Sequence, residues 1–335
     1  MEAEGLKHMN KKFNVTGTCI PEKHYMVNIE HKLQQIVSMI EDGQYFTINR
    51  PRQYGKTTTL FLLMKRLFAT EEYLPLKISF EGLGTESYAS QKRFIEGFLW
   101  LLRKFFQFNQ LPELSTYTEQ QRHLDTFGQL DQCITELCVK SGKNIVLMID
   151  EVDKSSNNQL FLDFLALLRT KYLARNEGQD VTFHAVILAG VHDVKSLKLK
   201  LRPNEERTYN SPWNIAADFT VDLSFQPDEI ATMLHDYAQL KQVAMDVQAI
   251  AEQLYYYTSG YPFLVSRLCK IIDERLMKSP QWQEQDVEEA VNRILTESNT
   301  NFESVIKNLE NYPDVYKTVY HLIKIGRASC YSLNF

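Results

Sequence analysis

The sequence predicts an α/β fold built on a parallel sheet. Two apolar runs, NIVLMID at 144–150 and FHAVILAG at 183–190, carry almost no polar residue. Strands buried on both faces of a parallel sheet read this way. Shorter β-rich stretches stand at 45–49 and 76–80. Between the strands lie segments with apolar residues at i, i+3, i+4 and i+7, the period of a helix with one buried face. Strands alternating with helices call for crossover connections, and so for parallel pairing.

Taken in order, residues 29–41 read as a helix, with Ile29, Leu33, Ile36, Val37 and Ile40 on one face. Tyr45–Asn49 follows Gly43 and reads as a strand. Leu60, Leu63, Met64 and Leu67 place a helix after the next loop. LKISF, Leu76–Phe80, is a second strand. Two long helical stretches follow, roughly 88–108 and 118–140, and then the strand Asn144–Asp150. A helix covers about 157–174, and Phe183–Gly190 is the next strand. DFTVDLSF, Asp218–Phe225, alternates in polarity and is expected to close the sheet.

The texture changes after Phe225. Pro227 with Asp228 and Glu229 is a helix start. Apolar stripes then run through Ile230, Met233, Leu234 and Tyr237, and through Val247, Ile250, Ala251 and Leu254. Pro280 breaks one helix. Later stripes are Val287, Ala290, Val291, Ile294, and Tyr316, Val319, Tyr320, Ile323. The expected organisation is an α/β core at 13–224, a helical lid at 225–298 and a helical segment at 299–335. The last is read as the start of a winged-helix unit that the chain does not complete. The first eight residues carry no pattern, so Met9 is a candidate natural start.

Composition narrows the class. The 335 residues are 44% hydrophobic and 24% charged, the balance of a globular protein with a substantial core. A net charge of −5 argues against a protein that coats nucleic acid throughout. Five cysteines without CxxC spacing read as free thiols in a reducing cytoplasm, not a disulfide frame or zinc site. The start has no apolar central run, so no signal peptide is expected. FIEGFLWLLRKFF is too short and too charged to span a bilayer, so no membrane partner is expected.

The chemistry is concentrated in YFTINRPRQYGKTTTLFLLMKRL, 45–67. Its middle approaches the phosphate-loop pattern G-x-x-x-x-G-K-[ST], with Gly55, Lys56 and Thr57 in place and Arg50 where the first glycine belongs. A strand, a tight loop and a helix N-terminus are what a phosphate needs. Gly55 admits close backbone approach. Lys56 would reach the β- and γ-phosphates, Thr57 would ligate Mg²⁺, and Thr58 would bond the α-phosphate. Pro51 is expected to shape the turn, leaving Arg50 and Arg52 as added positive charge beside Gln53 and Tyr54. IVLMIDE supplies the second element: Asp150 would hold Mg²⁺ through water and Glu151 would polarise the attacking water. Both motifs, in this order on these elements, point to ATP or GTP and Mg²⁺.

RPRQYGKTT together with VLMIDEVD resembles the AAA-like ATPases of bacteria and archaea, relatives of the STAND and origin-recognition groups of P-loop ATPases. The likeness extends to HYMV, SSNNQLFLDFLALLRTKYL, VILAGVHDVKSLK, NSPWNIAADF and TSGYPFLVSRLCK, over about 13–325. It implies an ATP-dependent switch or motor. Lys56 and Thr57 match the loop lysine and hydroxyl, and Asp150 and Glu151 the metal aspartate and catalytic glutamate. GYP at 260–262 resembles the lid motif whose proline, here Pro262, approaches the nucleotide. Tyr25–Asn28 falls where relatives contact the base. Val191 stands where a sensor serine or threonine is common, so His192 or Asp193 would have to serve. No arginine follows SPWN, which leaves a finger arginine unassigned. Relatives are often fused to a nuclease domain, but no such motif follows residue 300 here.

Other features read as structure. Asp153 and Lys154 form a solvated turn. The Tyr255–Tyr257 run is core and lid packing, and Gly260 is a helix C-cap. The basic loop around Arg202 and Arg207 is solvated charge, with DNA phosphates or a neighbouring subunit's nucleotide as alternative partners. Two classes of function stay open. One is an ATPase acting on a protein partner or as a homo-oligomer. The other is a nucleotide-holding scaffold or DNA adaptor without turnover, which the substitution at Arg50 and the absent arginine favour.

Overall fold

The computed structural model describes residues 11–155, 158–191, 212–276, 281–296 and 310–325. His192, Asp193, Arg202, Arg207 and Pro280 lie outside the described residues.

Four parallel strands form the sheet: β1 (Tyr45–Asn49), β2 (Tyr73–Ser79), β3 (Asn144–Asp150) and β4 (Ala185–Gly190), in the spatial order β1-β4-β3-β2. Helix α1 (Glu30–Glu41) precedes β1, and α2 (Lys56–Phe68) crosses from β1 to β2. Three helices, α3 (Gln91–Phe108), α4 (Pro112–Gln120) and α5 (Phe127–Ser141), lead to β3, and α6 (Gln159–Asn176) leads to β4. The period of two divides each strand between two cores. Phe46, Ile48, Met148 and Ile187 face α1 and α2, whereas Leu76, Leu147, Ile149 and Leu188 face α3, α5 and α6. Burial on both faces is why β3 and β4 need apolar side chains at every position.

Helices follow Phe225: α7 (Pro227–Lys241), α8 (Val247–Thr258), α9 (Pro262–Ile271), α10 (Glu284–Thr296) and α11 (Pro313–Ile325). Helix α7 starts with a capping box between Gln226 and Glu229 and Pro227 in its first turn. Glu229, Thr232 and Asp236, at i, i+3 and i+7, take Lys32, the Asn28 N–H and Lys11. Phe13, Tyr25, Tyr237 and Trp282 pack with ring centroids 4.8–6.1 Å apart. The segment before α1 is thereby held against these helices. No helix among the described residues is long and apolar enough to cross a membrane.

Several expectations are corrected. The stretch 118–140 is not one helix: Thr126 caps α5 in a capping box with Gln129 and so starts a new one. Strand β2 begins at Tyr73 and carries Pro75 inside it. As the outer strand of the sheet it tolerates a residue without an N–H. Asp218–Phe225 is not a strand. None of its residues joins a ladder; just before it, Ala217 makes one bridge with Phe46, its N–H donating to Tyr45 O at 2.7 Å. The polarity alternates because Val221 and Leu223 are buried while Asp218, Thr220 and Asp222 are exposed, without a ladder. Of the Tyr255–Tyr257 run, Tyr256 and Tyr257 are exposed.

Candidate functional site

Loop 50–55 leaves β1 at the carboxyl edge of the sheet, the edge where parallel α/β folds bind ligands. Gly55 caps α2 with φ +81, and a Cβ there would meet nothing within 4 Å. Backbone conformation therefore requires the glycine, and the space beside it is open. No side chain caps α2, so the unpaired N–H groups and positive dipole end of that helix are free for an anion. The second left-handed residue of the loop is Gln53, φ +58. The sharp turn that a first glycine would make falls there, and not at position 50.

Arg50 is placed otherwise than its charge suggested. Its guanidinium donates to Asn49 O at 3.0 Å and Val221 O at 2.9 Å and lies over the Phe219 ring. It pins the 217–223 segment beside β1 and does not line the cleft below it. Lys56 is buried, and its ammonium donates to Arg50 O at 2.7 Å and Pro51 O at 2.9 Å. Burial lowers its pKa, against the pull of Glu151, Asp153 and Asp150.

Asp150 ends β3, buried, and its Oδ1 accepts the Glu151 N–H at 3.0 Å. Glu151 adopts φ +56, an uncommon conformation for a residue with a Cβ. Burial, then the neighbouring Asp150, pushes its carboxyl above the usual range. Asp153 is not a solvated turn residue: its two carboxylate oxygens accept the Val191 N–H at 2.8 and 2.7 Å. The approach is close enough that a Cβ on Gly190 would stand 2.9 Å from Val152 Cγ2.

Gly55, Lys56, Glu151 and Val191 border one cleft of about 590 Å³, within the range of nucleotide-sized ligand sites, and Asp150 is buried directly behind Glu151. Its lining is polar at Arg52–Thr59, Glu81 and Glu151, and apolar at Val27, Phe225 and Met233, with Tyr25 also part of it. Thr57 and Thr58 line it, and Thr58 Oγ1 accepts the Cys19 N–H at 3.1 Å. Tyr25 is buried with its hydroxyl unpaired, and its pKa is pushed up to about 12 by burial and by Asp273 and Asp236. Pro262 opens α9 and lines the cleft with Phe263. Among the described residues no three His, Cys, Asp or Glu side chains cluster to hold a metal. A carboxylate such as Asp150 and a hydroxyl such as Thr57 are the kinds of donor that suit a Mg²⁺ taking its other ligands from phosphates and water.

Among the residues the sequence does not single out, Glu81 and Cys19 line the cleft, and Tyr261 touches its loop. Glu81 follows β2 in a 3-10 turn. Cys19 belongs to a strap at 14–19 that borders the cleft. Tyr261 donates from its hydroxyl to Arg52 O at 2.6 Å and packs on Tyr54 at 5.2 Å. Glu81 and Cys19 carry no spacing that marks them, and Tyr261 stands inside the GYP stretch without a role assigned to its own side chain.

A parallel sheet whose first strand runs through a glycine-capped loop into a helix, with an acid pair closing the third strand, defines the P-loop nucleoside-triphosphatase fold. Within that class the chain belongs to the AAA-like domain family, whose model matches residues 20–325. The fold is similar to that of the Walker-type ATPase Paby2304 of Pyrococcus abyssi, with a TM-score of 0.59 at 13% identity over 90% of this chain and 80% of that one. The ADP form of the Aeropyrum pernix ORC2 protein aligns with a TM-score of 0.48 at 13% identity, over 85% of this chain and 72% of that one, too low to bear weight. An uncharacterized WD repeat-containing protein of Synechocystis sp. is 22% identical over 248 residues, which are 73% of this chain. The match spans only 20% of that relative's length.

Proposed function

We propose that this chain binds ATP with Mg²⁺ in the cleft and hydrolyses it, as a nucleotide-driven switch. One observation carries the reading: a single cleft joins the uncapped N-terminus of α2 with Lys56, Glu151 just past the end of β3, and the start of α9. Lys56 releases the loop carbonyls and meets the β- and γ-phosphates. The N–H groups at Gly55–Thr58 surround the β-phosphate, and Arg52 adds charge at the rim. Thr57 and Asp150 would hold the metal, which would neutralise charge on the triphosphate. Glu151 orients the attacking water and accepts its proton. Tyr25 and its neighbours border the base. Residues 13–224 act as the core and 225–298 as a lid whose Pro262 meets the nucleotide, so that nucleotide state moves the lid.

Mg²⁺-dependent phosphate release by the full chain tests this. Lys56→Ala should abolish nucleotide binding. Glu151→Gln should bind and fail to turn over. If both variants release phosphate like the parent, the assignment is wrong.

A further inference from the structure

Three successive carbonyls of the loop are held by two side chains. Lys56 takes those of Arg50 and Pro51, and Tyr261 takes the next, on Arg52. Tyr261 comes from the turn between α8 and α9, far from the loop in sequence. A trans peptide sets its C=O and N–H in opposite directions. The hydroxyl that holds the Arg52 oxygen therefore also fixes where the Gln53 N–H points. That peptide leads into the left-handed Gln53, φ +58, a conformation that persists only when its surroundings restrain it. The turn that carries Tyr261 is itself anchored. Ser259 and Gly260 are left-handed at φ +48 and +71, and Gly260 O accepts the Phe225 N–H at 2.8 Å.

We infer that Tyr261 is a positioning residue, through which the helical unit sets the shape of the phosphate-binding loop. The inference rests on the nucleotide reading above and deepens it. While the turn is docked, the loop amides are arranged for the β-phosphate. When the turn lifts, the loop loses that restraint. Phosphate affinity and lid position are then linked, and each biases the other to the same extent.

Tyr261→Phe keeps the ring and its packing on Tyr54 and removes only the hydroxyl. Calorimetric titration of the full chain with ADP and with AMP reads the effect. ADP should bind about 2- to 12-fold more weakly, the worth of one net neutral hydrogen bond. AMP, which lacks the β-phosphate, should bind as it does to the parent. An equal loss for both ligands, or none for either, overturns the inference. Limited trypsin digestion without nucleotide gives a second readout, because Arg52 is exposed and Tyr261 holds the carbonyl of the bond to be cut. Cleavage after Arg52 should be faster in the variant, and an unchanged rate also overturns the inference. A parent that binds neither ligand sinks the nucleotide reading, and the inference with it. A parent that binds ADP through Lys56, as Lys56→Ala shows, beside an unchanged Tyr261→Phe, sinks the inference alone.

Discussion

Asp153 accepts the Val191 N–H with both carboxylate oxygens, at 2.8 and 2.7 Å, and so ties the turn after β3 to the end of β4. Val191 lines the cleft, so this tie holds the edge on which Asp150 and Glu151 sit. Hydrogen bonds to a charged group are worth about 1.5–3 kcal/mol. Asp153→Ala should lower unfolding free energy by an amount in that range, read as a shift in denaturation midpoint at constant slope. A midpoint unmoved by the substitution would return Asp153 to the class of solvated surface charge.

Arg50 leads to a prediction that runs against the motif. Restoring the missing glycine, Arg50→Gly, should not tighten nucleotide binding. The loop's left-handed turn is at Gln53 and Gly55, so position 50 gains nothing from glycine's freedom. What the substitution removes is the bond to Val221 O and the contact with Phe219. Stability should fall by about 1–3 kcal/mol while ATP affinity stays level or drops. Tighter binding by Arg50→Gly in an isothermal titration would show instead that the arginine distorts the loop.

How much could be read in advance depended on where the information lies. Strands β1 and β3 were legible to the residue, because burial on both faces demands an apolar run and the flanking residues stop it sharply. The positions of Gly55 and Lys56 at the start of α2, and of Asp150 and Glu151 at the end of β3, were legible because each pair stands in a short local pattern at the end of one element. The direction of the Arg50 guanidinium was not, since it is set by a segment 171 residues further on. Asp218–Phe225 misled because alternating burial needs only a buried face, whereas a strand also needs a neighbour to pair with. Tyr261 reaches the loop and Glu81 the cleft through packing of separate elements, and a single tyrosine or glutamate carries no periodic mark.

The junction between core and helices turns on Gly260. A Cβ there would stand 2.0 Å from Phe225 O, and φ is +71. Both backbone strands at the contact would have to move, so Gly260→Ala should be among the most destabilising single substitutions, beyond about 4 kcal/mol. Gly17 gives the control. It has a similar φ of +65, but a Cβ there would meet nothing within 4 Å. Gly17→Ala should therefore cost only the conformational term, about 1 kcal/mol. Comparable melting temperatures for the two variants would mean that φ alone, and not the contact with Phe225, constrains Gly260.

His24 makes the strap beside the cleft sensitive to acid. Its Nδ1 accepts the Ile20 N–H at 2.8 Å, which only an unprotonated Nδ1 can do. Burial lowers its pKa below the ordinary 6.5, helped by Lys12 and Lys23. The unfolded chain therefore binds the proton first as pH falls. Stability from this site is fully present above about pH 6.5 and is lost progressively below it, until the folded-state value is passed. His184, also lowered by burial, adds a slope of the same sign, so the parent alone does not isolate His24. The difference between parent and His24→Asn does. Melting temperatures taken from pH 7.5 to pH 5 should converge as pH falls, because the variant has no proton to take up at this position. A gap between the two that stays constant across the range would mean that His24 is held by packing and not by its neutral ring nitrogen.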